Sequence, residues 1–179
     1  MIFRETPLAS AFLLCPERRE DERGYFARTF CAEEFASHGL AVNVLQCNTS
    51  FNRLRGTVRG MHFQRSPMVE PKLVRCTRGA IFDVMIDLRP DSATYCHWYG
   101  MELTAENGYA FYAPEGFAHG FQTLADDSEV FYQMFASYSP EHADGVCWDD
   151  PAFGIIWPLP VTAIAERDLK FPLMSGKRA

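Results

Sequence analysis

The sequence has no CxxC pair, no apolar run long enough to cross a bilayer, no basic excess, no internal repeat and few helical windows. Each absence removes a class of protein. Six cysteines (Cys15, Cys31, Cys47, Cys76, Cys96 and Cys147) stand far apart in 179 residues, which argues against a disulfide framework and for free thiols. No stretch approaches the roughly 18 apolar residues of a membrane span. The start, Met1-Ile2-Phe3-Arg4-Glu5, lacks the apolar core of a signal peptide, so the expected location is the cytoplasm. A net charge of −6 and a pI near 5.3 offer no basic face for nucleic acid, although a local group of arginines can still hold one anionic ligand.

What is present is a β-rich, aromatic chain of one domain's length, 1–179, with no linker. Short segments rich in β-branched and aromatic residues recur: Tyr25–Phe30, Val42–Ser50, Val58–Phe63, Leu73–Thr77, Ala80–Leu88, Trp98–Leu103, Tyr109–Ala113, His119–Leu124 and Val130–Tyr138. Turn formers such as Arg78-Gly79 and Pro114-Glu115-Gly116 separate them, which indicates an all-β sandwich or barrel. One helix is expected at Ala32–His38, stopped by Gly39. A further helical turn is expected after Thr162, capped by its hydroxyl, and a loosely held tail beyond Asp168, from about residue 169.

Three segments carry candidate chemistry: Arg59-Gly60-Met61-His62-Phe63-Gln64 with Lys72 beyond it, Pro114 to Phe121 with His119, and Tyr132 with the later Trp148-Asp149-Asp150-Pro151. Strand alternation turns Gly60, His62 and Gln64 to one face and Arg59, Met61 and Phe63 to the other, so Arg59 would have to reach around a rim or serve a neighbouring site. A single strand histidine is more often structural. Glycine beside it favours function, because a missing side chain admits a close ligand. Pro114–His119 reads PxGxxH, like one signature of the metal-binding cupin barrels. The HxH and glutamate of their other signature are missing, which leaves a metal short of ligands, so none is expected. Lys72 could be a solvated edge lysine or an interior cation for an oxyanion, and Tyr132 either core or catalytic.

Taken in order, Asp21-Glu22-Arg23-Gly24, Gln46-Cys47-Asn48, Arg59 to Gln64, Lys72-Leu73-Val74-Arg75, Phe82-Asp83-Val84, Leu103 to Asn107, Pro114 to Phe121, Ser139 to His142 and Trp148 to Pro151 resemble the dTDP-4-dehydrorhamnose 3,5-epimerases. The resemblance spans roughly Asp21 to Leu173. It implies a cupin-like jelly roll with a few short helices, a homodimer with exchanged strands, a nucleotide-sugar substrate and no cofactor. It also implies His62 as base, Asp168 as its orienting partner, Tyr132 as acid, and Lys72 and His119 lining the sugar site with Asp83 in support. Arg23, Gln46, Asn48 and Arg59 would hold the nucleotide diphosphate, and Arg167 stands for a lysine of the usual pattern. Arg28 and Ala143 replace two glutamates at the nucleotide end, so base preference is expected to be looser or changed. A C3-only epimerase, one using another nucleotide, and a non-catalytic or metal-binding cupin remain the alternatives.

Overall fold

The computed structural model describes residues 1–174. One antiparallel sheet has the spatial order β1 (Ile2–Glu5), β2 (Phe12–Cys15), β10 (Ala110–Ala113), β7 (Lys72–Arg78), β12 (Ser128–Met134), β5 (Gln46–Asn52). The facing sheet runs β13 (Ala143–Gly145), β6 (Thr57–Gln64), β11 (Phe117–Thr123), β8 (Ala80–Asp87), β9 (Trp98–Thr104). A short strand β14 (Ala163–Ile164) joins β6 in parallel, and β3 (Arg19–Asp21) with β4 (Gly24–Phe26) forms a separate hairpin. The architecture is the cupin-like jelly roll expected from the sequence.

Period-two alternation builds the interior. Val74 and Cys76 of β7, Ile81 and Met85 of β8, Phe117 and Phe121 of β11 and Val130 of β12 meet between the sheets. Intervening residues of β6, β8 and β11 (Met61, Val84, Ile86 and Ala118) point outward and are covered by Val146, Phe153 and Trp157. The inward rows carry polar members as well: Lys72 precedes Val74, Asp83 separates Ile81 from Met85, His119 separates Phe117 from Phe121, and Tyr132 follows Val130. Polar side chains on inward positions mark where the apolar core gives way to a site.

Several local expectations change. Val42 and Val44 are not in a strand; with Leu40 and Ala41 they cover Phe35 of helix α1 (Ala32–Ser37) on the outer face of the first sheet. Phe30 likewise leaves the expected Tyr25–Phe30 strand to pack on Phe35, and Phe135 turns out of β12 onto the same cluster. Their hydrophobicity comes from acting as a cover. Thr162 does not cap helix α2 (Glu166–Leu169): its hydroxyl donates to Arg55 O at 2.6 Å, and Ala165 takes the N-cap position. The chain beyond Asp168 is docked as far as it is described, with Cys147 N donating to Pro172 O and Met174 N to Asp150 Oδ2.

Candidate active site

A cleft of about 330 Å³ opens between the two sheets. Its first wall bears Lys72, Tyr132, Asn48 and Ser50, and its second bears Arg59, His62 and His119. Arg59 is inside it, contrary to the strand-face expectation. The pairing of β6 with β11 slips by one residue, matching His62 to His119 but Arg59 to Phe121. The extra residue of this bulge returns Arg59 to the face of His62. Gly60 sits there at φ +118°, and a Cβ on it would lie 2.6 Å from Gly120 Cα. Only glycine permits that approach.

His62 Nε2 lies 2.8 Å from Asp168 Oδ1, and Asp168 Oδ2 accepts from Gly60 N at 3.1 Å. Although 106 positions separate the two residues, β14 runs beside the start of β6 and delivers α2 behind the histidine. Burial disfavours ionisation of Asp168, but the His62 hydrogen bond and charge, Gly60 N–H and Arg167 outweigh it, holding the carboxyl below its ordinary value. An ionised Asp168 keeps the imidazole proton on Nε2 and leaves Nδ1 with the free lone pair. Phe171 closes one side of the ring, its centroid 5.7 Å away in an edge-on arrangement, lying flush on Gly145 where no Cβ intervenes.

A second pair lies beside the first. His119 Nε2 is 2.8 Å from Asp83 Oδ1, while Asp83 Oδ2 has no hydrogen-bond partner among the described residues. Burial pushes the Asp83 carboxyl above its ordinary value, with His119 and then Lys72 opposing. The Tyr132 hydroxyl is also pushed up, chiefly by burial and further by Asp83, so it keeps its proton. Lys72 is buried at the start of β7, with Nζ 2.9 Å from Glu70 Oε1. Chemically the cleft offers an imidazole with a free nitrogen on one wall, a protonated phenol on the other, and a buried ammonium. Among the described residues no group of three His, Cys, Asp or Glu side chains is arranged to hold a metal ion.

The dTDP-4-dehydrorhamnose 3,5-epimerase family model matches residues 5–176. A curated dTDP-4-dehydrorhamnose 3,5-epimerase of Sinorhizobium fredii is 45% identical over 96% of this chain and 89% of its own. The crystal structure of the enzyme of that name from Elizabethkingia anophelis superposes with a TM-score of 0.95 at 36% identity, covering 100% of this chain and 99% of that one. That of Bacillus anthracis, with TDP and pyrophosphate bound, gives 0.93 at 37% identity over 97% and 99%. The chain belongs to the dTDP-4-dehydrorhamnose 3,5-epimerase family.

In this epimerase, the sequence-derived candidates His62, Lys72, Tyr132, His119, Asn48, Arg59 and Arg167 all line the cleft, with Asp168 and Asp83 directly behind the two histidines. Gln46 instead holds the rim, its Oε1 accepting from Tyr138 N at 2.8 Å. Arg23 is not in the cleft: it pairs with Asp21 on the exposed β3–β4 hairpin. Arg28 lies in a separate hollow, 2.7 Å from Glu34, which also binds the Met1 amino group. Its charge is therefore matched within the chain. Ala143 does line the cleft and leaves room there. Sequence reasoning missed Glu70 and Ser50. A carboxylate two positions before a candidate interior lysine was the available signal for Glu70.

Proposed function

We propose that this epimerase converts dTDP-4-dehydro-6-deoxy-D-glucose to dTDP-4-dehydro-L-rhamnose by inverting C3 and C5, the carbons beside the C4 ketone. The observation that carries the reading is the opposition of the His62–Asp168 pair to Tyr132 across one cleft. A C–H beside a ketone can be removed because the electron pair spreads onto the carbonyl oxygen as an enolate. His62 Nδ1 takes that proton, and Asp168 stabilises the imidazolium that forms. Lys72 meets the negative charge growing on O4. Tyr132 returns a proton from the opposite face, which inverts the centre. One proton leaves and one enters at each carbon, so no redox partner is called for.

Arg59 and Arg167 suit the diphosphate, since guanidinium forks match phosphate oxygens, and Asn48 lies beside them. Arg23 and Arg28 lie outside their own cleft, paired with Asp21 and Glu34, while the hairpin that bears Arg23 also exposes Tyr25 and Phe26. These features support a homodimer in which the hairpin is shared with the neighbouring subunit. The six unpaired cysteines support a reducing cytoplasm. No helix among the described residues is long and apolar enough to cross a membrane. With Arg28 matched by Glu34 and a small residue at 143, the base of the nucleotide is held loosely, and binding leans on the diphosphate.

The test is incubation of the purified protein with the dTDP-linked 4-keto sugar in heavy water. The L-sugar carrying deuterium at both C3 and C5 is expected. Deuterium at C3 alone would make it a C3-only epimerase, and none at either carbon would remove the catalytic reading.

A further inference from the structure

Glu70 is a cleft carboxylate that the reaction above leaves without work. It lies in the loop between β6 and β7 and lines the cleft, with its Oε1 2.9 Å from Lys72 Nζ. The two side chains are only 9% and 5% exposed. A surface pair of such residues would mean little. Here, however, both charges are withdrawn from water, and Glu70 is the one carboxylate within ion-pair reach of Lys72 among the described residues.

The loop that carries Glu70 is tied at both ends. Buried Gln64 donates through Nε2 to Met68 O at 2.9 Å, and Met68 N donates to Arg65 O at 3.0 Å. On the far side Phe135 N donates to Pro71 O at 3.0 Å. Pro71 between the partners restricts φ, so the backbone presents the carboxylate to the lysine before any substrate arrives. The carboxylate is thus built into place.

A buried ammonium with no counter-charge is costly, and it relieves the cost by swinging away toward water. That would spoil Lys72 as the group that meets an enolate. The same pair leaves the resting cleft with no net charge at this point. We propose that Glu70 is a positioning residue that holds the Lys72 side chain aimed at the C4 oxygen, an inference that rests on the role of Lys72 proposed above.

Glu70→Gln keeps the shape and removes the charge. The rate of solvent deuterium entry at C3, and the dissociation constant for dTDP, should be measured for E70Q, K72M and the double variant. Exchange is expected to slow about 10- to 100-fold in E70Q, the usual cost of a slightly misplaced catalytic group, while dTDP binds within about twofold of the parent. In the K72M background the same change should cost less than about twofold, because a residue acting through Lys72 has nothing left to act on. Exchange by E70Q at or above the parental rate overturns the inference, as does an equal loss in both backgrounds. Loss of dTDP binding in E70Q overturns it too, by making Glu70 a structural residue. If K72M slows exchange and E70Q does not, this inference alone fails; if K72M exchanges at the parental rate, the role of Lys72 falls with it.

Discussion

The histidines of two histidine–aspartate pairs stand side by side on the antiparallel strands β6 and β11, yet the fold treats their carboxylates in opposite ways. Asp168 has both oxygens satisfied and is held ionised below its ordinary range. Asp83 is fully buried, with one oxygen unpartnered among the described residues, and is pushed above that range. Their histidines differ too: the His62 side chain is 36% exposed to the cleft and the His119 side chain 5%. A carboxylate that stays charged can stabilise an imidazolium as it forms, whereas one that resists ionisation cannot do so cheaply. The same residue pair becomes a base in one place and a polar wall in the other.

Substitution should make that contrast measurable. His62→Ala should lower turnover by about 10⁴-fold, at the upper end for loss of a general base, with dTDP binding retained. Activity within threefold of the parent would end the assignment. Asp168→Asn comes next, at about 10²- to 10³-fold, because an amide that can donate lets the ring adopt the wrong tautomer. Asp83→Asn should cost no more than about tenfold. Steady-state kinetics on the three variants would break the comparison if the two asparagine variants were equally impaired.

The smallest expected effect lies in stability against pH. The folded pKa of Asp168 is depressed, so its stabilisation is present above the ordinary carboxylate range and is lost as pH falls through the folded value. The folded pKa of Asp83 is raised, so the native state holds a proton that the unfolded chain releases. Its penalty therefore grows as pH rises from the ordinary range through the raised value. Melting curves from pH 3 to 8 should show Asp168→Asn losing ground on the parent as pH rises and Asp83→Asn gaining it, by a few degrees each. Parallel curves for the two variants would contradict the opposite shifts.

The inward alternation of β11, with His119 between Phe117 and Phe121, and that of β12, with Val130 followed by Tyr132, can be read from residue pattern alone, and so can the β class. The partnership of His62 with Asp168 cannot. No spacing rule joins residues 106 apart, and only family resemblance pointed to Asp168 before β14 was seen to carry it there. Alternation places Arg59 on the wrong face because it assumes an unbroken strand, and the slip at Gly60 is a property of the β6–β11 pairing. Glu70 was missed because loops have no period to read. The strand expected at Val42 to Ser50 began too early because residues covering a sheet are as apolar as residues within one.

The central claim is that the base and the acid stand on opposite walls of one cleft, and Tyr132→Phe in heavy water tests it most directly. Removal of the phenol leaves His62, Asp168 and Lys72 in place, so deprotonation continues while return from the far face fails. The variant should still carry solvent deuterium into recovered substrate at C3 but form the L-sugar at a small fraction of the parental rate. Normal yield of the L-sugar from Tyr132→Phe would contradict it, since the returning proton would then come from elsewhere.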